Sequence, residues 1–204
     1  IIENDWLECI VQLPDRMFFN TGITTYLWIL TNKKENKKKG KVQLIDASSF
    51  SVPMKKNLGD KGKEITKNQI NNIFGIYENF EEGEYCKIFP NEFFGYTKVT
   101  IEQPIIENGQ FKIDKKGNLK ADNLKRDYER IPLLNDIDEY FKTEVKPHLK
   151  DSWMDRTKDK VGYEINFTKY FYKFNKLRDP EEIREELSSL DLEINNFLKE
   201  LGMK

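Results

Sequence analysis

Apolar residues crowd the segment Leu7–Leu13 (LECIVQL), which Pro14 closes, and Ile23–Thr31 (ITTYLWILT) is β-branched and aromatic through most of its length. Both read as strands. A run that is apolar on both faces belongs inside a sheet covered on both sides, which is the expectation for each. Between them PDRMFFNTG has turn chemistry around Gly22 with two adjacent aromatics. The polar stretch NKKENKKKGK then leads into a third strand, Lys41–Asp46 (KVQLID). Residues 1–52 therefore read as the last strands of an α/β sheet.

After Pro53 the pattern changes. Thr66 followed by Gln69 is a capping box, and Ile70, Ile73, Phe74, Tyr77 and Phe80 recur at helical spacing, with Gly75 weakening the helix from inside. A second helix is predicted from Asn135 to Lys146, with Ile137, Tyr140, Phe141 and Val145 on one face and Pro147 ending it. Between the two, KVTIEQPI and QFKI flank Asn108-Gly109 and predict a hairpin. The polar stretch Asn118–Arg130 reads as a loop, and GYEINFTKYFYKF has mixed periods that assign it to no element. Residues 53–178 are thus expected to be mixed and mainly helical. The clearest local signal comes last. Asp179 is an N-cap, Pro180 fits the first helical position and Glu182 favours the positive helix end. Ile183, Leu187, Leu190, Ile194, Phe197 and Leu201 then form a heptad seam. A lone helix of this size is marginal in water, so the seam of segment 179–204 must lie on something: its own domain, or a partner helix.

Composition narrows the class. The chain has 204 residues, 38% hydrophobic and 34% charged, and no apolar run of the length a membrane span needs. The first residues carry acids where a signal peptide carries bases, so the expected home is the cytoplasm, with no membrane partner. Opening on Ile1 and Ile2 close to a strand, the chain reads as cut from a longer polypeptide. Net charge is −1 but uneven: from Asn32 to Lys63 ten Lys face three acids, whereas from Asp179 onward eight acids face three bases. This asymmetry points to different partners at the two ends. The lysine cluster Lys33, Lys34, Lys37, Lys38 and Lys39 is a candidate for phosphate contacts with double-stranded DNA, with a merely solvated loop as the alternative.

Several chemistries fall away. Cys9 and Cys86 stand too far apart for a CxxC site, the only histidine, His148, has no second histidine with which to hold a metal, and the glycines of GDKGKE lack the GK[ST] ending of a phosphate loop. No metal site is expected. Glu81 and Glu82 sit in solvent-like surroundings and are not expected to act as a general acid and base.

What stands out is LPDRMFFNTGITTYLWILTNKK followed by KGKVQLIDAS. These blocks, with NLGDKGKEIT, IYENF, FFGYTKVTIEQP, RDYERIPL, VKPHLKDSWMD and GYEINFTKYFY in order behind them, resemble the C-terminal portion of the modification (M) subunits of type I restriction-modification systems, members of the adenine-N6 DNA methylase family. The resemblance runs through nearly the whole chain. It implies the end of a Rossmann-like methyltransferase sheet, then a mainly α region with a small β-hairpin, then the terminal heptad helix. It also implies S-adenosylmethionine as cofactor of the full-length protein, and the specificity (S) subunit, the restriction (R) subunit and double-stranded DNA as partners. The family's cofactor loop and its Asn-Pro-Pro-Phe tetrapeptide are missing here, since the sequence contains no Pro-Pro. The chain alone is therefore expected to be inactive, to contain no catalytic residues and to bind no cofactor.

One active-site element is expected to remain. Adenine must leave the duplex to be methylated, and an aromatic face offsets part of the unstacking cost. By the resemblance, an aromatic on the loop joining the last two sheet strands does this, with Phe18 the choice and Phe19 the alternative. Alternation along a strand puts one of the two in the core. Ligands of open α/β sheets sit beyond the carboxyl ends of parallel strands, which is where the Pro14–Gly22 loop lies if Leu7–Leu13 runs parallel to its neighbours. The seam residues Ile183, Leu187, Leu190, Ile194, Phe197 and Leu201 are expected to dock the S subunit. The competing reading is a non-enzymatic assembly module, or one that holds single-stranded nucleic acid on its aromatics.

Overall fold

The computed structural model describes residues 1–174 and 178–201. They divide into two compact units, Ile1–Phe171 and Tyr172–Lys204. In the first unit, β1 (Leu7–Gln12), β2 (Tyr26–Leu30), β3 (Lys41–Asp46) and a strand that follows the first helix build one sheet. β4 (Val52–Leu58) and β5 (Lys61–Glu64) form a hairpin, α1 spans Lys67–Asn79, and β6 (Cys86–Pro90) completes that sheet in the order β2-β1-β3-β6. A second sheet, β10-β7-β11, is made from β7 (Gly95–Glu102), β10 (Asp127–Pro132) and β11 (Trp153–Tyr163), with β8 (Ile106–Glu107) and β9 (Gln110–Phe111) as a small hairpin between.

β1 pairs in parallel with β3 (Cys9 opposite Gln43, Gln12 opposite Asp46) and antiparallel with β2. This register gives the first sheet two apolar faces. Leu7, Ile10, Val42 and Leu44 join Ile2, Phe94 and Phe167 in one cluster, and Cys9, Val11, Ile45, Ala47 and Cys86 form the other, covered by Ile73, Ile76 and Tyr77 of α1. Both thiols are buried and free, and burial pushes each of them up from its ordinary value. The side chain of Thr66 caps α1 in the predicted box with Gln69. Phe80, read as part of the helical face, instead takes a left-handed conformation (φ 53°) and ends the helix. Ile70 and Phe74 stay exposed while Ile76 joins the core, because the face that meets the sheet is rotated from the one the spacing suggested.

Three further expectations need correction. β2 is not interior: its outer edge is unpaired among the described residues, and Tyr26, Leu27, Trp28 and Leu30 are exposed. Residues 53–178 are not mainly helical: among the described residues eight of the eleven strands are β4 to β11, and helix is confined to α1, a 3-10 turn at Asn91–Phe94, α2 (Ile137–Tyr140) with its π-helical continuation Phe141–Val145, and α3 (Phe167–Phe171). Asn118–Arg130 is not all loop, because β10 starts at Asp127 and pairs with β7. The polar side chains that argued against a strand there point away from the core, while Ile131 points in beside Val99 and Ile101. The hairpin at Asn108-Gly109 is present, both residues having positive φ (51° and 79°) as a tight turn of this kind requires.

In the second unit, α4 (Pro180–Glu200) begins at Asp179, whose carboxylate accepts the Glu181 N–H at 2.9 Å. Its whole apolar seam is exposed, from 40% at Ile183 to 73% at Leu201.

The amino end of β1 is held by two ion pairs. Glu8 accepts hydrogen bonds from Lys38 Nζ (2.8 Å) and from the Tyr77 hydroxyl, and the ammonium of Lys38 lies 3.8 Å from the centre of the Tyr77 ring. Asp5 accepts from Lys34 Nζ (2.5 Å), the Gly40 N–H (3.0 Å) and the Asn91 amide (2.8 Å). Burial works to raise both carboxyl pKa values. The hydrogen bonds and lysine charges outweigh it, and both end below the ordinary carboxylate range. Each carboxylate thus stabilises the fold fully above the unfolded value near pH 4 and loses that contribution as pH falls through the lower folded value. Removing one partner of a buried pair strands the other charge. Lys38→Met should therefore cost about 3 kcal/mol in urea unfolding and move acid unfolding to higher pH, while adding Glu8→Leu should recover a good part of the loss. A Lys38→Met protein as stable as the parent would show that the pair carries no such weight.

Candidate base-binding loop

The loop Pro14–Gly22 leaves the carboxyl end of β1, at the end where its parallel neighbour β3 also terminates. Pro14 is buried and anchors the loop's start. Beyond it the chain turns at Arg16, a non-glycine residue with φ 56°, and closes with a bridge between Phe18 and Thr21.

This loop is braced by the β4-β5 hairpin. The Arg16 carbonyl accepts the N–H groups of Gly62 (3.0 Å) and Lys63 (3.3 Å), and the Phe19 carbonyl accepts the Asp60 N–H (2.9 Å). Arg16 Nε reaches back to the Asp60 carbonyl at 3.4 Å. Lys63 pairs with Asp15, and its hydrogen bond holds the Asp15 carboxyl below its ordinary pKa. At the hairpin tip Gly59 has φ +61°, and a Cβ there would lie 2.7 Å from the Phe19 carbonyl oxygen and about 3 Å from its ring. Only glycine allows the tip to approach this closely.

Phe18 is 49% and Phe19 63% exposed. The expectation that one of them is core fails, because alternation holds along a strand and these residues lie on a turn. They differ in their surroundings: the Phe19 ring lies against Gly59, whereas Phe18 stands by the turn it closes with Thr21. The bracing hairpin was legible in principle, since Gly59-Asp60 between Lys-rich flanks is a two-residue hairpin turn.

The lysine cluster lies at the other end of β1, since β2 returns antiparallel. Within it Lys34 and Lys38 have side chains only 1% and 5% exposed and are committed to Asp5 and Glu8, which removes them as phosphate contacts. Lys33, Lys37 and Lys39 are exposed, Lys37 donating to the Glu78 carbonyl at 2.9 Å. Among the described residues, no three His, Cys, Asp or Glu side chains converge as a metal site. No helix among the described residues is long and apolar enough to cross a membrane.

The sequence profile of the N-6 DNA Methylase family matches residues 1–116. The chain is similar to the methylase subunit of the type I restriction enzyme MjaIX of Methanocaldococcus jannaschii, 30% identical over 156 residues, which cover 72% of this chain and 27% of that protein. It is also similar to the methylase subunit of the type I restriction enzyme HindI of Haemophilus influenzae, 40% identical over 60 residues, 29% of this chain and 13% of the relative. Among solved structures it is similar to a type I restriction-modification system methyltransferase subunit from Streptococcus thermophilus, with 26% identity, 46% of this chain and 18% of that one covered, and a TM-score of 0.39. The chain spans about a quarter of the length of the first of these relatives.

The tight contact at the hairpin tip makes a prediction. Gly59→Ala combines a left-handed backbone with a clash against the Phe19 carbonyl, so thermal unfolding should show a loss of about 1–2 kcal/mol. The fluorine resonance of a fluorophenylalanine at position 19 should shift with it; an unchanged spectrum would show that the hairpin does not position the loop.

Proposed function

The chain belongs to the N-6 DNA methylase family, and on that footing we propose that it forms part of the modification subunit of a type I restriction system, a DNA adenine-N6 methyltransferase that uses S-adenosylmethionine. Its share of the work is the loop Pro14–Gly22, which lends an aromatic face to the adenine swung out of the duplex. The observation that carries this reading is the pair of exposed rings, Phe18 and Phe19, on a braced loop beyond the carboxyl ends of the parallel strands β1 and β3. Phe18 is the stacking residue. The Phe19 ring is placed against the hairpin.

The first sheet is the end of a Rossmann-like methyltransferase sheet. The open, apolar edge of β2 supports this, since such an edge pairs readily and invites aggregation unless another strand covers it. The cofactor and the tetrapeptide that holds the adenine amino group belong to the rest of the subunit. Residues 1–204 contain no Pro-Pro and by themselves methylate nothing. Lys33, Lys37 and Lys39, at the far end of the sheet from the base loop, add phosphate contacts to wrapped DNA. The terminal helix docks the specificity subunit through its seam: the six exposed apolar side chains at heptad spacing are what a partner helix requires, and the acidic flank gives that contact a sign. The restriction subunit completes the assembly in the cytoplasm.

Two experiments on the intact subunit test these roles. An aromatic stacked on a flipped base contributes about 1–3 kcal/mol, so Phe18→Ala should slow methylation roughly tenfold or more, and a rate within twofold of the parent would remove Phe18 from the site. In the second, Leu190→Asp with Ile194→Asp should abolish co-purification with the specificity subunit; undiminished assembly would end the docking role of the helix.

A further inference from the structure

The outer face of the second sheet carries a feature that no part of the functional reading uses. The register places Arg130 of β10 opposite Lys98 of β7, and Lys98 opposite Lys160 of β11, so three cations stand in one row across three adjacent strands. Like charges directly opposite one another weaken a sheet. Two of the three are partly compensated: Arg130 pairs with Glu164 at 2.5 Å, and Lys98 Nζ sits 3.9 Å from the centre of the Tyr128 ring. Among the described residues, neither Lys98 nor Lys160 has a carboxylate within 4.0 Å. Beside the row, the β11 strand bulges between Asp155 and Lys160 and brings Thr157 and Lys158 over the face. Lys158 is held there by Asp155 (2.7 Å) and by the buried Glu102 (3.3 Å).

The result is a depression of about 390 Å³ lined by Lys98, Thr100, Tyr128, Thr157, Lys158 and Lys160. The lining consists of three lysines and three hydroxyl-bearing residues, with no acidic and no aliphatic residue among them. The Thr157 hydroxyl already donates to Asp155 (2.5 Å) and Lys158 is neutralised by its two carboxylates, which leaves the ammonium groups of Lys98 and Lys160 as the cations with no carboxylate partner among the described residues to offer an oxygen anion. A protein partner would be met by an apolar centre with a polar rim, which this surface lacks. The opposite face of the same sheet is apolar and covered: Val99, Ile101 and Ile131 pack on Phe141 and Val145. The cation row therefore lies on the face away from that apolar cluster.

We propose that this face, with Lys98 and Lys160 at its centre, binds the phosphate backbone of double-stranded DNA. The proposal rests on the reading of the chain as part of a DNA methylase subunit. A cation row across three strands spans about 10 Å, over which a duplex presents roughly six phosphate charges. Phosphates placed on the row relieve its internal repulsion. The contact carries no base information, so it fixes the position of the duplex and not the sequence chosen.

The test measures binding of the intact subunit, assembled with its specificity subunit, to a recognised and an unrelated duplex from 50 to 200 mM salt. Lys98→Gln with Lys160→Gln should weaken binding to both duplexes roughly tenfold and make the logarithmic salt slope shallower by about 2, and the exposed Lys160→Gln alone should give about half that slope change. Lys115→Gln with Lys116→Gln removes the same charge from a different exposed loop and should behave like the parent. Parent-like affinity and slope in the Lys98/Lys160 variant, with the parent binding and methylating normally, overturns this proposal alone. Equal loss in the Lys115/Lys116 control overturns it in favour of bulk charge. Failure of the variant to assemble, with DNA affinity retained, overturns it in favour of an acidic protein surface. A parent that neither binds nor methylates duplex DNA overturns the functional reading as well.

Discussion

Glu8 lies within β1, one residue from the fully buried Leu7 and Cys9, and its carboxylate remains charged there only because a cation and a hydroxyl meet it. Those partners come from two other parts of the chain: Lys38 from the polar connection between β2 and β3, and Tyr77 from α1. Satisfying one buried charge therefore fixes the connection that returns the chain to β3 and the position of the helix that covers the sheet. Lys34 and Asp5 repeat the arrangement a few residues earlier in each segment, adding Gly40 and Asn91. The parallel register of β1 and β3 sits between these ties at one end and the loop at the other. Charge satisfaction at the amino end of β1 thus sets where its carboxyl end delivers Pro14.

At that carboxyl end the chain faces the opposite requirement. A loop that presents aromatic rings to solvent gains nothing from burying them, so its shape must be held by other means. Backbone hydrogen bonds from the β4-β5 hairpin supply them, with the Asp15 to Lys63 pair alongside and a glycine where the two backbones approach most closely. The rings of Phe18 and Phe19 stay exposed because the hydrogen bonds, and not the rings, hold the loop. The backbone of the loop is thereby fixed while both rings remain largely exposed.

The second sheet separates its tasks by face. Val99, Ile101 and Ile131 close on the helix that follows β10, and the alternate positions place Lys98, Tyr128 and Arg130 on the other face, with Thr100 buried among them. Strand alternation alone generates that segregation, but alternation read along one strand does not reveal that cations from three strands fall in one row. The row exists only once register is fixed.

Local patterns determined a good deal of this protein. The first three strands, the capping box at Thr66, the turn at Asn108-Gly109 and the terminal helix from Pro180 all follow from short-range rules, in which the deciding groups lie within a few residues of each other. The order of motifs along the chain likewise carried its family. Tertiary structure decided what depends on pairing between distant segments. β10 looked like a loop because its outward side chains are polar, and its partner β7 lies some thirty residues away. Lys34 and Lys38 looked like members of a free basic loop, and the acids that bury them sit near the beginning of the chain. Phe18 and Phe19 were legible as a candidate pair, whereas their common exposure was not, since a turn braced by a remote hairpin suspends the alternation that a strand would impose.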